Sequence, residues 1–426
     1  MRLTVVGGGS TYTPELVDGL ARRPAGLPEV TELVLVDRDL DRLDIVGGLA
    51  DRILARSGHP ATVVRTDDLA AGATGARAVL VQIRVGGQAA RAIDESFPHQ
   101  CGCIGQETTG AGGLAKALRT VPVALDIART VAAVAPDAWL VNFTNPVGIV
   151  TRALLDDGHR VVGLCNVAIG MQRYLAGLLG RSPDDVDLDH VGLNHLTWVR
   201  GVLVDGTDVL PDLLDAHLDE IADHVVQPAA LLGATGTIPS YYLRYFYAHD
   251  QVLTEQLAEP SRAQRVAAIE QELLALYADP ALAEKPALLG QRGGAFYSEA
   301  ALGLLAGLLA EPGAAAQRHV VNVRNGTTMP FLPSGAVIEG PALVGPGRPP
   351  APLALTRPMS PDQAGLIAHV AGYEELAVAA ARDGGRRRVA AALLAHPLIG
   401  QYERAERLTD LLLAANRAYL PWLDRQ

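Results

Sequence analysis

Through the first 165 residues, short apolar runs alternate with longer amphipathic stretches, and that alternation leaves few folds open. RLTVV at 2–6 reads as a strand, then come a glycine turn and a helix over 14–21. ELVLV at 32–36 is the next strand, with a helical pattern over 40–56. ATVVRT (61–66) and AVLVQI (78–83) are strands, 114–134 is helical, WLVNF (139–143) is a strand, 147–155 a helix and VVGLC (161–165) a strand again. Repeated βαβ units imply parallel strands joined by right-handed crossovers. The expectation is an α/β chain with an N-terminal Rossmann-like doubly wound parallel sheet over residues 1–165.

The rhythm then changes. Residues 171–330 read as mostly helical, with short strands near 198–203 and 319–323. The Pro/Gly-rich segment 330–358 reads as an ordered loop or edge strands, because apolar pairs such as Val337 and Ile338 punctuate it. Helical patterns return from residue 360 to the end. The expectation is a second, mostly helical α/β (α+β) domain over 166–426 for substrate, metal and oligomer contacts. A chain of 426 residues is long enough for two domains and a large core.

A net charge of −11 argues against general binding to nucleic acid or anionic membranes, though a few arginines can still hold a small anion. Three cysteines cannot all pair, which fits a reducing compartment. The chain enters a strand at residue 2 without the basic and long apolar regions of a signal peptide, and no apolar run reaches a membrane span. A cytoplasmic protein is expected.

VVGGGSTYTPEL places Gly7, Gly8 and Gly9 directly after strand one, ahead of a helix N-terminus. Glycines there let a pyrophosphate approach the backbone. The fit to GxGxxG is imperfect, since Tyr12 stands at the third glycine position. Asp37 closes strand two, where an acid grips the adenosine ribose of NAD. A tight turn without a ligand is the alternative.

Three more stretches carry chemistry. In VNFTNPVGIVT, Asn142 and Asn145 either cap the chain or face a ligand at the sheet edge. IGQETTGAGGLAKALRTVP (104–122) reads either as a surface loop with a capped helix or as a mobile lid presenting Gln106, Glu107 and Arg119. Cys165 ends a strand and His195 follows thirty residues later; thiolate and imidazole suit a divalent transition metal, although lone Cys and His residues are commonly just packed. The CGC run at 101–103 is a rival ligand source, disfavoured because no second pair accompanies it.

Together GGGSTYTPEL, RVGG, IGQETTGAGGLAKALRTVP, NFTNPVGIVT, GLCNV, GLNHLTW and YLRY resemble glycoside hydrolase family 4, within it most the 6-phospho-β-glucosidases. The likeness runs from residue 1 through RGGAFYS (292–298) and more weakly to the C-terminal helices. It implies NAD and a divalent metal, usually Mn²⁺, as cofactors, a phospho-glycoside as substrate, and a homodimer or homotetramer. By motif it implies Cys165 and His195 as metal ligands and Tyr242, opening YLRY, as base. Gly7, Gly8, Gly9, Ser10, Thr11, Asp37 and Arg84 would hold the cofactor, and Arg91, Asn145 and Asn166 the substrate. Ala168 departs from the family's usual CNVP, which removes a fixed φ from the loop after Cys165.

The implied reaction lies outside the two-carboxylate scheme of most glycosidases. Hydride leaves C3 for NAD⁺, the adjacent C2–H becomes acidic, and a metal on O2 and O3 stabilises the enolate. The aglycone is eliminated, water adds, and hydride returns. Tyrosine, with a pKa near 10, needs a neighbouring cation, for which the metal or Arg244 is available. The alternatives are an NAD-dependent hydroxy-acid dehydrogenase, a family 4 enzyme acting on an unphosphorylated or uronic-acid glycoside, and a non-catalytic sensor on the same fold.

Overall fold

The structure is a computed structural model describing residues 1–293 and 296–425. Gly294 and Ala295 of the RGGAFYS run, and Gln426, lie outside the described residues.

Six parallel strands form the N-terminal half: β1 (Arg2–Val6), β2 (Glu32–Val36), β3 (Thr62–Thr66), β4 (Ala76–Val81), β5 (Trp139–Asn142) and β6 (Val161–Gly163). Their spatial order, β6-β5-β4-β1-β2-β3, is the doubly wound order expected of a dinucleotide-binding sheet. Side chains alternate between faces. Leu33 and Leu35 pack with helices Thr13–Ala21, Leu40–Arg56 and Tyr297–Leu308. Val34 and Val36 face helix Gly110–Val134. Apolar burial on both faces explains why these strands read as nearly continuous apolar runs.

The sheet does not stop there. β7 (Val186–Leu193), β8 (Leu196–Val204), β9 (Thr207–Asp208), β10 (Ile238–Pro239), β11 (Gln317–Arg324), β12 (Val337–Val344) and β13 (Ala351–Pro352) extend it on the β6 side. The extension is antiparallel, in the order β10-β8-β7-β12-β11, with β9 on β8 and β13 on β12.

Several expectations change. β7 falls in a stretch read as helical, because Asp187, Asp189 and His190 interrupt its apolar pattern. Asp189 is satisfied only from afar, by Arg200 at 2.9 Å and by the Thr356 hydroxyl at 2.7 Å. β12 is interior, between β11 and β7, where an edge strand or loop was expected; Glu339, Gly340 and Pro341 disguise it. Helix Gly110–Val134 starts four residues earlier than expected, and β6 ends at Gly163, so Cys165 stands just past the strand. Among the described residues no helix is long and apolar enough to cross a membrane.

Candidate active site

The glycine turn packs against its own sheet. Gly7 has φ +87°, and a Cβ there would lie 2.7 Å from the Gln82 carbonyl oxygen. Gly9 donates its N–H to Asp37 Oδ2 at 2.9 Å, and a Cβ on Gly9 would crowd the same oxygen at 3.0 Å. Ser10 Oγ accepts the Tyr12 N–H at 3.2 Å, and Thr11 Oγ1 donates to Glu270 Oε1 at 3.4 Å. Glycine turn, Asp37 and the start of helix Thr13–Ala21 are thus gathered at one sheet edge. The guanidinium of Arg84 instead pairs with Glu107.

Cys165 and His195 meet across the sheet. Cys165 Sγ lies 3.6 Å from His195 Nε2. His195 occupies the two-residue turn between β7 and β8 with φ +65°, a left-handed conformation that costs a non-glycine residue energy. The Thr108 hydroxyl stands 3.0 Å from His195 Nδ1, which leaves Nε2 to face the sulfur. Burial pushes the imidazole down to about 4, keeping it neutral as a metal ligand requires. Burial, with Glu339 behind it, pushes the Cys165 thiol up to about 12, against N–H groups of Asn166, Val167 and Asn194 that favour the thiolate. Asn166 immediately precedes helix Val167–Leu178.

This pair fits a metal. One first-row cation bound to a thiolate and an imidazole, with bonds of about 2.3 and 2.0 Å, holds the donor atoms roughly 3.5 Å apart. No group of three or more His, Cys, Asp or Glu gathers for a cation among the described residues, so Cys165 and His195 are the two side chains that would hold one here.

The Tyr242 ring lies on His195, centroids 3.6 Å apart and planes 4° apart. Burial first, and then Cys165 and Glu107, push its phenol up, while Arg91 pulls it down. Arg244, which with the metal was one of two candidates for the assisting cation, donates to the Tyr241 hydroxyl at 3.2 Å and pairs with Glu255.

The QETTG stretch is a half-buried loop in which Glu107 and Gly110 are buried. Gln106 Oε1 accepts the backbone N–H groups of Thr108 and Thr109. Arg119, which the lid reading would turn toward a substrate, is buried in a pair with Asp94 and a 3.0 Å hydrogen bond to Asn416. Glu107 receives Arg84, Lys116 (2.6 Å) and Arg91 (3.3 Å), whose charges outweigh burial and hold its carboxyl well below the usual range. Burial and Arg84 push Lys116 down to about 7. Arg91 also pairs with Glu95 at 2.7 Å. Arg262 feels Arg91 as a neighbouring charge, and burial together with Arg91 lowers its pKa.

Asn142 is a structural cap: its Oδ1 accepts the Thr144 N–H at 3.0 Å and its Nδ2 donates to Thr151 at 3.1 Å. Asn145 differs, with a buried Oδ1 that has no hydrogen-bond partner among the described residues. Cys103 Sγ donates to the Cys101 carbonyl at 3.7 Å, and burial raises both thiols.

A small pocket reaches His195 and Tyr242, with Asn194, Thr108, Glu374 and His396 among its lining. Burial pushes Glu374 up to about 8. Glu339 accepts from Asn194 at 2.8 Å and Asn322 at 2.9 Å and faces His190 at 3.2 Å; burial opposes its charge, but these groups keep it below the usual carboxylate range. Sequence reasoning assigned no role to Lys116, Arg262, Asn194, Glu339, Glu374 or His396. Asn194 had a signal in its adjacency to His195 and Lys116 in its place in a quoted motif; the others had none.

A Rossmann-type sheet with a thiol, an imidazole and a phenol converging at its carboxyl edge defines an enzyme of the nucleotide-binding class. The family 4 glycosyl hydrolase model matches residues 2–181, and the model for that family's C-terminal domain matches residues 190–399. A probable 6-phospho-β-glucosidase of Bacillus subtilis is 38% identical over 99% of this chain and 97% of its own length. The 6-phospho-β-glucosidase of Escherichia coli is 35% identical over 99% and 96%. The structure of the Thermotoga maritima 6-phospho-β-glucosidase with NAD and glucose-6-phosphate superposes with TM-score 0.91 at 33% identity, covering 98% of this chain and 99% of that one. The chain belongs to family 4 of the glycosyl hydrolases.

Proposed function

We propose that this enzyme is an NAD- and Mn²⁺-dependent 6-phospho-β-glucosidase. The observation that carries the reading is the 3.6 Å approach of Cys165 to His195, beneath the ring of Tyr242. Full-length relatives named for this activity support it, as does a Thermotoga maritima structure with manganese, NAD⁺ and glucose-6-phosphate at 32% identity.

NAD is assigned to the glycine turn and Asp37 of residues 1–165, and the cation to Cys165 and His195, where residues 166–426 join the sheet. When bound, the nicotinamide takes and returns a hydride and the cation draws electron density from sugar oxygens. The chain's own residues do the rest. Tyr242 accepts the proton from the carbon next to the oxidised one, and Arg91 is the nearby cation that favours its phenolate. Thr108 orients His195, and the buried Asn145 Oδ1 offers an acceptor to a sugar hydroxyl. Arg91 and Arg262 form the cationic corner for a phosphate, placed on an acidic protein by local charge alone.

The test is hydrolysis of p-nitrophenyl-β-D-glucoside 6-phosphate with and without NAD⁺, Mn²⁺ and reductant, with the α anomer and the unphosphorylated glucoside as comparisons. Hydrolysis should need both cofactors and the phosphate. Activity indifferent to removal of both cofactors overturns the proposal.

A further inference from the structure

The parallel and antiparallel halves of the sheet meet along one row of residues. Gly163 of β6 pairs with Asn322 of β11, Asn322 with Glu339 of β12, and Glu339 with Gly192 of β7. The β6–β11 and β12–β7 seams register through those single pairs. Cys165 lies two residues beyond Gly163, and His195 three beyond Gly192. The two members of the proposed metal centre therefore leave the same row from opposite ends.

The buried Glu339 side chain, 2% exposed, ties this row together. Its Oε2 accepts the Nδ2 groups of Asn322 and Asn194, while Oε1 faces His190 Nε2. The Asn194 side chain also faces the Cys165 thiol and favours its thiolate. An amide NH₂ carries two hydrogens, so one side chain serves carboxylate and sulfur together. Asn194 is also the residue before His195, in a turn whose left-handed φ at His195 must be held by its surroundings.

We propose that Glu339 is a positioning residue for the metal centre: through Asn194 it fixes both the turn carrying His195 and the sulfur of Cys165. This rests on the metal reading given above. Groups that orient ligands without touching the cation change metal affinity by about 10–100-fold when removed.

The experiment measures Mn²⁺ affinity by electron paramagnetic resonance, and the thiolate-to-cobalt charge-transfer band of the Co²⁺ form, without substrate. The proteins are the full chain as wild type, Glu339→Gln and Asn194→Ala, with NAD binding and thermal melting as fold controls. Glu339→Gln puts an N–H₂ where an acceptor stood and leaves one buried donor unmatched. Asn194→Ala breaks only the link, leaving Glu339 its other two partners, so it decides the matter if Glu339→Gln does not fold. Both variants should bind Mn²⁺ about 10–100-fold more weakly, with a weakened or shifted cobalt band and intact NAD binding. A purely structural role leaves the band of a folded variant unmoved. A wild-type band with unchanged affinity and band in folded Asn194→Ala overturns the inference alone. A wild type without the band overturns the metal reading and the inference with it.

Discussion

The ring of Tyr242 lies parallel to the imidazole of His195, centroids 3.6 Å apart, so the proposed base and a proposed metal ligand share one face-to-face contact. That contact holds the ring of the proposed base against the imidazole. Tyr242→Phe keeps the stacked ring and removes only the oxygen. It should retain metal and NAD binding and lose activity roughly 100-fold or more, the scale of general-base catalysis. Deuterium uptake at the sugar C2 should fall with it; normal uptake in the variant would place the base elsewhere.

Cys165 stands past the end of β6 with backbone N–H groups turned toward its sulfur. Cys165→Ser replaces the proposed thiolate ligand with a weak hydroxyl. Mn²⁺ binding and metal-stimulated hydrolysis should both be lost, with circular dichroism and NAD binding unchanged. Full activity in this variant refutes the ligand assignment.

Arg91 is committed to Glu95 and Glu107, whereas no acidic side chain lies within ion-pair distance of Arg262 among the described residues. Arg262 is therefore the better reporter of phosphate binding. Arg262→Ala should raise KM for the phosphorylated substrate about 10–100-fold, the worth of a charged hydrogen bond, and leave any turnover of the unphosphorylated glucoside little changed. Steady-state kinetics on the matched pair of substrates decides it; equal effects on both would remove the phosphate contact.

His396 is 1% exposed, with Nε2 3.0 Å from the Gly110 nitrogen and Nδ1 3.1 Å from the Leu398 nitrogen; the neutral ring accepts at one of its two nitrogens, beside the start of helix Gly110–Val134. An imidazolium can accept at neither. Burial pushes His396 down to about 3 from an ordinary value of 6.5. Between those values the unfolded chain binds a proton that the folded chain does not, so stability rises with pH across the window and falls on acidification. Thermal melts from pH 7 to 4 should show a falling Tm, with a shallower slope in His396→Gln. Equal slopes would show that other groups govern acid unfolding.

The sequence by itself determined the parallel half of this protein. Alternating apolar runs, a glycine turn after β1 and an acid after β2 are signals carried by near neighbours, and the strands came out within a few residues of expectation. The positions of Cys165, His195 and Tyr242 were legible from the quoted motifs. That these three meet was decided only by tertiary structure, because it depends on β11 and β12 entering the sheet between β6 and β7. β12 carries Glu339, Gly340 and Pro341, and β7 carries two aspartates and a histidine; such residues are tolerated in strands only when partners far along the chain satisfy them. The same holds for the pairing of Arg84 with Glu107 and of Arg119 with Asp94. Local period and turn chemistry are written in adjacent residues, but which buried charge pairs with which follows from packing that no short stretch records.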